Sequence, residues 1–162
     1  MIDFPSNFIE IIDTMLRENI DKLEKIDGIE ELLNDCIKND VKICVGSGNS
    51  FRNLDIELGN AGLLKYFDKK IFSSELVERS KPFPDIFLLA AEKMSVTPVR
   101  TIVVEDSING IKAAKAAGMI AIGFYGATHC SNGHKDMLLE AGADFVTDKL
   151  ANITEIIKNN FL

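Results

Sequence analysis

Shortages in this sequence exclude several classes of protein. Its three cysteines, Cys36, Cys44 and Cys130, are too few and too far apart for a disulfide framework. A small odd count of this kind points to a reducing compartment, here taken as the cytoplasm. The amino terminus, "MIDFPSNFIEIIDTML", lacks the basic start, apolar stretch and small-residue cleavage site of a signal peptide. No run approaches the roughly 20 apolar residues of a membrane span. Positive charge is scarce as well. The formal net charge is -7, and lysines such as Lys22, Lys25, Lys69 and Lys70 are interspersed with acids. That balance argues against nucleic acid or an anionic membrane as a general partner, while leaving room for a small phosphorylated molecule at a local positive site.

Internal repeats, low-complexity tracts and Gly/Ser linkers are also missing. What is present is apolar patterning. Apolar residues make up 46% of the 162 residues, enough for a single domain with a real core. In "FIEIIDTMLRENIDKLEKI", Phe8, Ile11, Ile12, Met15, Leu16, Ile20 and Leu23 recur at spacings of three and four, the mark of an amphipathic helix. A second helix is expected in "DGIEELLNDCIKN". Five short runs rich in Val, Ile and Phe follow, "VKICVGS", "KKIFSS", "RTIVVE", "MIAIGF" and "ADFVT", and they read as strands. Helical patterns separate them at about 51–62, 84–94, 107–117 and 133–141, and a last one starts near 152. Nearly all-apolar strands alternating with helices predict an α/β fold, a Rossmann-like parallel sheet covered on both faces. Such sheets bind ligands beyond the carboxyl ends of their strands, so the strand-to-helix turns are where function is sought.

The first turn, "VGSGNSF", places Ser47, Gly48 and Asn49 between a strand and a helix. Hydroxyl, amide and free backbone N–H groups there would cradle an anion; Ser and Asn also cap helices with no ligand at all. The dinucleotide pattern GxGxxG fails, because Phe51 stands where its third glycine belongs, which disfavours a nucleotide cofactor. The second turn, "ERSKPFPDIF", carries Lys81 between a polar loop and Pro82, with Pro84 near the first turn of the next helix. The residue is either an ordinary surface lysine or a neutraliser of charge at the sheet mouth. In the third, "VVEDSINGIKAAKAAGM", Glu105 and Asp106 end a strand. Either Asp106 or Ser107 caps the helix and Glu105 is a solvated strand end, or the two carboxylates form a hard-cation site of the kind Mg2+ takes. His129, Cys130 and His134 lack the four-ligand spacing of a structural zinc site. They read instead as a pocket-edge contact at His129 and helix-start chemistry at His134.

Ser47 after an apolar strand, Lys81 in "KPFPDIF", and "VVEDSINGIKAAKAAGM" together resemble the second, third and fourth motifs of the haloacid dehalogenase superfamily of phosphohydrolases. The wording is closest to its β-phosphoglucomutase-like, sugar-phosphate phosphatase branch. The resemblance runs from about residue 26 to the end and includes "GFYGATHCSNGHKDMLLEAGADFVTD". It implies that Ser47, Gly48, Asn49 and Lys81 bind the transferring phosphoryl group, that Lys81 also serves catalysis, and that Asp106 ligates Mg2+ with Glu105 supporting the metal shell. The implied substrate is a small phosphorylated metabolite.

One family feature is missing. Members begin with a strand ending in DxDGT or DxDGV, whose first Asp attacks phosphorus and whose second is general acid and base. "MIDFP" holds one Asp without its partner or the glycine, and Asp27–Gly28 lies where the family returns from cap to core. Residues 1–25 resemble the second half of a helical cap. The expected organisation is therefore a cap remnant over 1–25 and an α/β core over 26–162 lacking its first strand. On this reading the chain is an amino-terminally shortened phosphohydrolase inactive by itself; the alternative is a non-catalytic relative that binds phosphate or a protein partner.

Overall fold

Among residues 25–161, which the computed structural model describes, the five expected strands all form, each shorter than its apolar run. They are β1 (Val45–Ser47), β2 (Ile71–Ser73), β3 (Ile102–Glu105), β4 (Ile120–Phe124) and β5 (Phe145–Thr147). Seven helices accompany them: α1 (Ile29–Lys38), α2 (Phe51–Asn60), α3 (Leu64–Phe67), α4 (Asp85–Lys93), α5 (Ile108–Ala116), α6 (His134–Glu140) and α7 (Leu150–Phe161). The amphipathic helix expected over 8–23 lies outside the described residues. No described helix is long and apolar enough to cross a membrane.

All strand pairs are parallel. They form two groups, β1–β2 and β3–β4–β5, with no ladder joining the groups among the described residues. Val45 pairs with Ile71 and Ser47 with Ser73 in one group; Glu105 pairs with Gly123, and Phe124 with Thr147, in the other. The carboxyl ends of each group are thus aligned, and the polar turns leave from those ends.

Strand periodicity splits the core into two layers. Ala121 packs with Phe87, Val103, Ile111 and Leu138, whereas Ile122 packs with Leu32, Leu150 and Ile153. Successive side chains of β4 therefore face opposite helix layers. Ile111, Ile122, Leu138 and Ile153 are fully buried, each contributing about 1.5–3 kcal/mol by leaving water. Ala113 and Ala114 on α5 are equally buried and let that helix approach the strands closely. A third, smaller cluster of Leu33, Leu63 and Phe67 seals α1 against α3.

Local chemistry sets the helix ends. Glu30 and Glu31 occupy the first turn of α1 and Lys38 its last, which complements the helix dipole. The helix expected over 51–62 forms as α2, which ends at Asn60, and Gly62 turns left-handed with φ of 67°. The short α3 follows at once. A glycine tolerates that reversal without a Cβ clash.

Candidate functional site

The turn after β1 is tied down by its own polar groups. Asn49 donates its backbone N–H to the Ser47 hydroxyl at 3.1 Å and its side-chain amide to Glu57 at 2.8 Å. Ser50, the residue before α2, accepts from the Asn53 N–H and is the cap of that helix. From the neighbouring β2 end, Ser73 and Ser74 donate hydroxyls to the carbonyls of Asn49 and Gly48, each at 2.6 Å. Four loop positions are thereby pinned, and Ser47 and Gly48 stay at the carboxyl end of β1.

Lys81 reaches both strand groups. Its ammonium donates to the Gly46 carbonyl on β1 at 3.3 Å and pairs with the Glu105 carboxylate at the end of β3. The side chains of Lys81 and Glu105 are only 15% and 10% exposed, so this pair is far better shielded than a surface ion pair. Phe87 walls the lysine, its ring centroid 4.9 Å from the ammonium. The Lys81–Pro82 peptide is cis, and Pro84 immediately precedes α4. Next to it Arg79 grips Asp85 with two hydrogen bonds of 3.0 and 2.9 Å and stacks on Phe83. Arg79 was not singled out from sequence; the signal that could have found it is its i, i+6 spacing from an acid across the proline turn.

Glu105 is a buried partner rather than a solvated strand end. Besides Lys81 it accepts from the Ser107 N–H at 3.2 Å and the Ser107 hydroxyl at 2.9 Å. Ser107 is also the cap of α5, accepting from the Gly110 N–H at 2.9 Å. A Cβ placed on Gly110 would fall 2.0–2.4 Å from the Glu105 carboxylate. Glycine is required there by close approach, a relation no local sequence pattern discloses.

Asp106 points elsewhere. Its side chain is 42% exposed, and its carboxylate has His129 Nε2 at 3.3 Å. The His134 ring sits with Nε2 2.6 Å from the Asp106 carbonyl oxygen; since a carbonyl only accepts, Nε2 carries the proton. His134 also opens α6, so helix-start residue and turn contact coincide. Burial, and more weakly the Asp106 charge, push the Cys130 thiol up against a hydrogen bond from Ala127 that pulls it down. It is therefore a neutral neighbour of this turn rather than a thiolate.

The turns after β1, β2 and β3 thus converge through Lys81, and the β4–α6 connection adds two histidines around Asp106. No group of three or more His, Cys, Asp or Glu side chains suited to holding a metal occurs among the described residues. The donor chemistry of Asp106 nevertheless fits a hard cation, because a half-exposed carboxylate offers oxygen without first breaking a buried bond. Glu105 is committed to Lys81 and Ser107.

Comparison with known proteins agrees with this architecture. Residues 3–124 match the family model of the haloacid dehalogenase-like hydrolases. The chain belongs to that family of enzymes. A phosphorylated carbohydrates phosphatase of Thermotoga maritima is 35% identical over 133 residues, which cover 82% of this chain and 56% of the relative. The solved structure of a conserved haloacid dehalogenase-like protein of unknown function from Agrobacterium tumefaciens superposes with a TM-score of 0.87 at 35% identity, over 98% of this chain and 71% of the other. A β-phosphoglucomutase of Clostridium difficile superposes with a TM-score of 0.78 at 27% identity, over 96% and 66%. The chain spans little more than half the length of the curated relatives it matches.

Proposed function

We propose that this protein is a Mg2+-dependent phosphohydrolase, of phosphatase or phosphomutase type, for small phosphorylated metabolites such as sugar phosphates, working in the cytoplasm. The observation that carries the reading is Lys81, a shielded ammonium held at the carboxyl ends of both strand groups. A relative named as a phosphorylated carbohydrates phosphatase supports the substrate class.

The side chains suit phosphoryl transfer, which is catalysed chiefly by positioning and by stabilising charge on oxygen. The Ser47 hydroxyl and the N–H groups of Gly48 and Asn49 would bind phosphoryl oxygens. Lys81 would neutralise charge on them, with Glu105 and Gly46 fixing the ammonium in place. Asp106 would hold the cation and Glu105 would support its surroundings through Ser107. Bound Mg2+ would supply charge neutralisation at the phosphate. Asp106 fills few of the roughly six positions it needs, and Glu105 is engaged by Lys81 and Ser107, so weak affinity is expected for the chain as given.

Turnover by this chain is expected to be negligible, because its sequence holds no DxDG motif to supply the attacking aspartate. The test is calorimetric titration with glucose 6-phosphate and fructose 1-phosphate, with and without Mg2+, beside a hydrolysis assay. The expected result is binding strengthened by Mg2+ and weakened at least about tenfold in Lys81→Met, as loss of a charge-assisted bond implies. Asp106→Asn should remove the Mg2+ dependence alone. Binding indifferent to both substitutions would sink the proposal.

A further inference from the structure

The cavity along the open edge of β2 lies outside the turns described above. It has a volume of about 680 Å³, within the ~300–1,000 Å³ range of small-molecule sites. Four lysines line it: Lys42 before β1, Lys69 and Lys70 before β2, and Lys93 at the end of α4. None of the four has a carboxylate within ion-pair distance among the described residues, as is also true of Lys38, Lys112, Lys135 and Lys149, but Lys42, Lys69, Lys70 and Lys93 share one cavity. In a chain with a net charge of -7, this is a local concentration of unneutralised positive charge.

The rest of the lining is apolar. Phe72 and Met94 are buried beneath it, while Phe51 and Leu76 remain 40% and 49% exposed on its walls. Exposed large apolar side chains facing a concave basic space call for a ligand with both characters. Lys42 is already oriented, donating to the Met94 carbonyl at 2.9 Å, which keeps its stem along the cavity and leaves two of its three N–H donors. Lys69 and Asp68 both adopt positive φ, 64° and 39°, so the chain reverses sharply at the first of the two consecutive lysines on the cavity rim.

We infer that this cavity is a second binding site, separate from the turn around Lys81, for a small amphiphilic anion: an apolar alkyl or aryl body carrying a phosphate or carboxylate. The apolar body lies against Phe51, Phe72 and Leu76, and the anionic group is met by Lys69, Lys70 and Lys93. A purely polar anion leaves the apolar walls wet, and a neutral apolar molecule leaves the lysines unused. A concave volume of this size suits one small molecule.

Decyl phosphate below its micelle concentration is the probe, titrated by calorimetry and followed by methyl chemical shifts of Leu76, Leu89 and Met94. Saturable one-to-one binding with shifts at those methyls is expected, along with competition by decanoate but not by inorganic phosphate. Lys69→Gln, Lys70→Gln and Lys93→Gln are exposed changes that spare the core, and each should weaken binding roughly tenfold. Equal binding of decyltrimethylammonium would overturn the inference, as would binding unaffected by all three substitutions. So would shifts confined to residues around Ser47 and Lys81. Binding seen only with phosphatidylglycerol vesicles, and absent with monomeric decyl phosphate, would replace the cavity with a membrane surface and overturn it too.

Discussion

β4 and β1 are both short parallel strands of apolar residues, yet they live in different surroundings. Four of the five β4 residues are buried, with Ala121 and Ile122 at 0% exposure, while every residue of β1 is only half-buried. The difference follows from neighbours. β4 has a partner on each side, β3 and β5, and helix layers on both faces; among the described residues β1 pairs only with β2. Likewise β3, bounded by a strand on one side only among the described residues, leaves Val104 43% exposed. The half-covered strands, not the dry one, carry Ser47 and Glu105. Stability and chemistry are thus divided between the two strand groups, linked by Lys81.

The largest break in that division should come at β4. Ile122→Ala deletes a fully buried side chain between α1 and α7 and is expected to cost about 2–5 kcal/mol, against less than about 0.5 kcal/mol for Val104→Ala on the half-exposed β3. Urea unfolding of the two variants measures the contrast; equal losses would mean that the edge strands are as well packed as the centre.

Gly110→Ala should come next. The new methyl occupies the place of the Glu105 carboxylate, and moving that group away from Lys81 and Ser107 is expected to cost about 1–3 kcal/mol, the usual toll of overpacking. Phosphate affinity should fall with it, while far-UV circular dichroism stays unchanged. Retained affinity would show that Glu105 does not hold Lys81 in its binding position.

The finest comparison sets the two serine caps against each other. Ser50→Ala removes one cap bond from α2, worth about 1 kcal/mol. Ser107→Ala removes a cap bond from α5 and the hydroxyl bond to Glu105, while alanine keeps the backbone N–H contact. It should cost more, by about 1 kcal/mol for the lost hydroxyl bond to a carboxylate. Thermal unfolding of the pair gives the difference, and identical shifts would mean that Ser107 acts on its helix alone.

Much of this was legible in the linear chain, because parallel strands announce themselves as short apolar runs bounded by polar turns. All five appear where the runs predict them, helices α4 to α6 begin and end within a few residues of their patterns, and α7 begins two residues before its expected start. The short α3 was not legible, since its four residues are too few to show a helical period. The site shows the same limit. Ser47, Lys81, Glu105 and Asp106 stand out by type and place, but the contacts of Lys81 with Glu105 and Gly46 span 24 and 35 residues and depend on how the layers close. Sequence reasoning paired the two adjacent carboxylates. In the structure they face different partners, Glu105 meeting Lys81 and Ser107 while Asp106 meets His129.

Lys81 has a further consequence, one of valence. An ammonium carries three N–H donors, and the Gly46 carbonyl and the Glu105 carboxylate occupy two of them. An incoming anion can therefore receive one bond from Lys81 as a plain addition. A second must be an exchange, breaking an internal contact for each one made. Anions satisfied by a single donor from this lysine bind without disturbing the link between the two strand groups, and those demanding more loosen it.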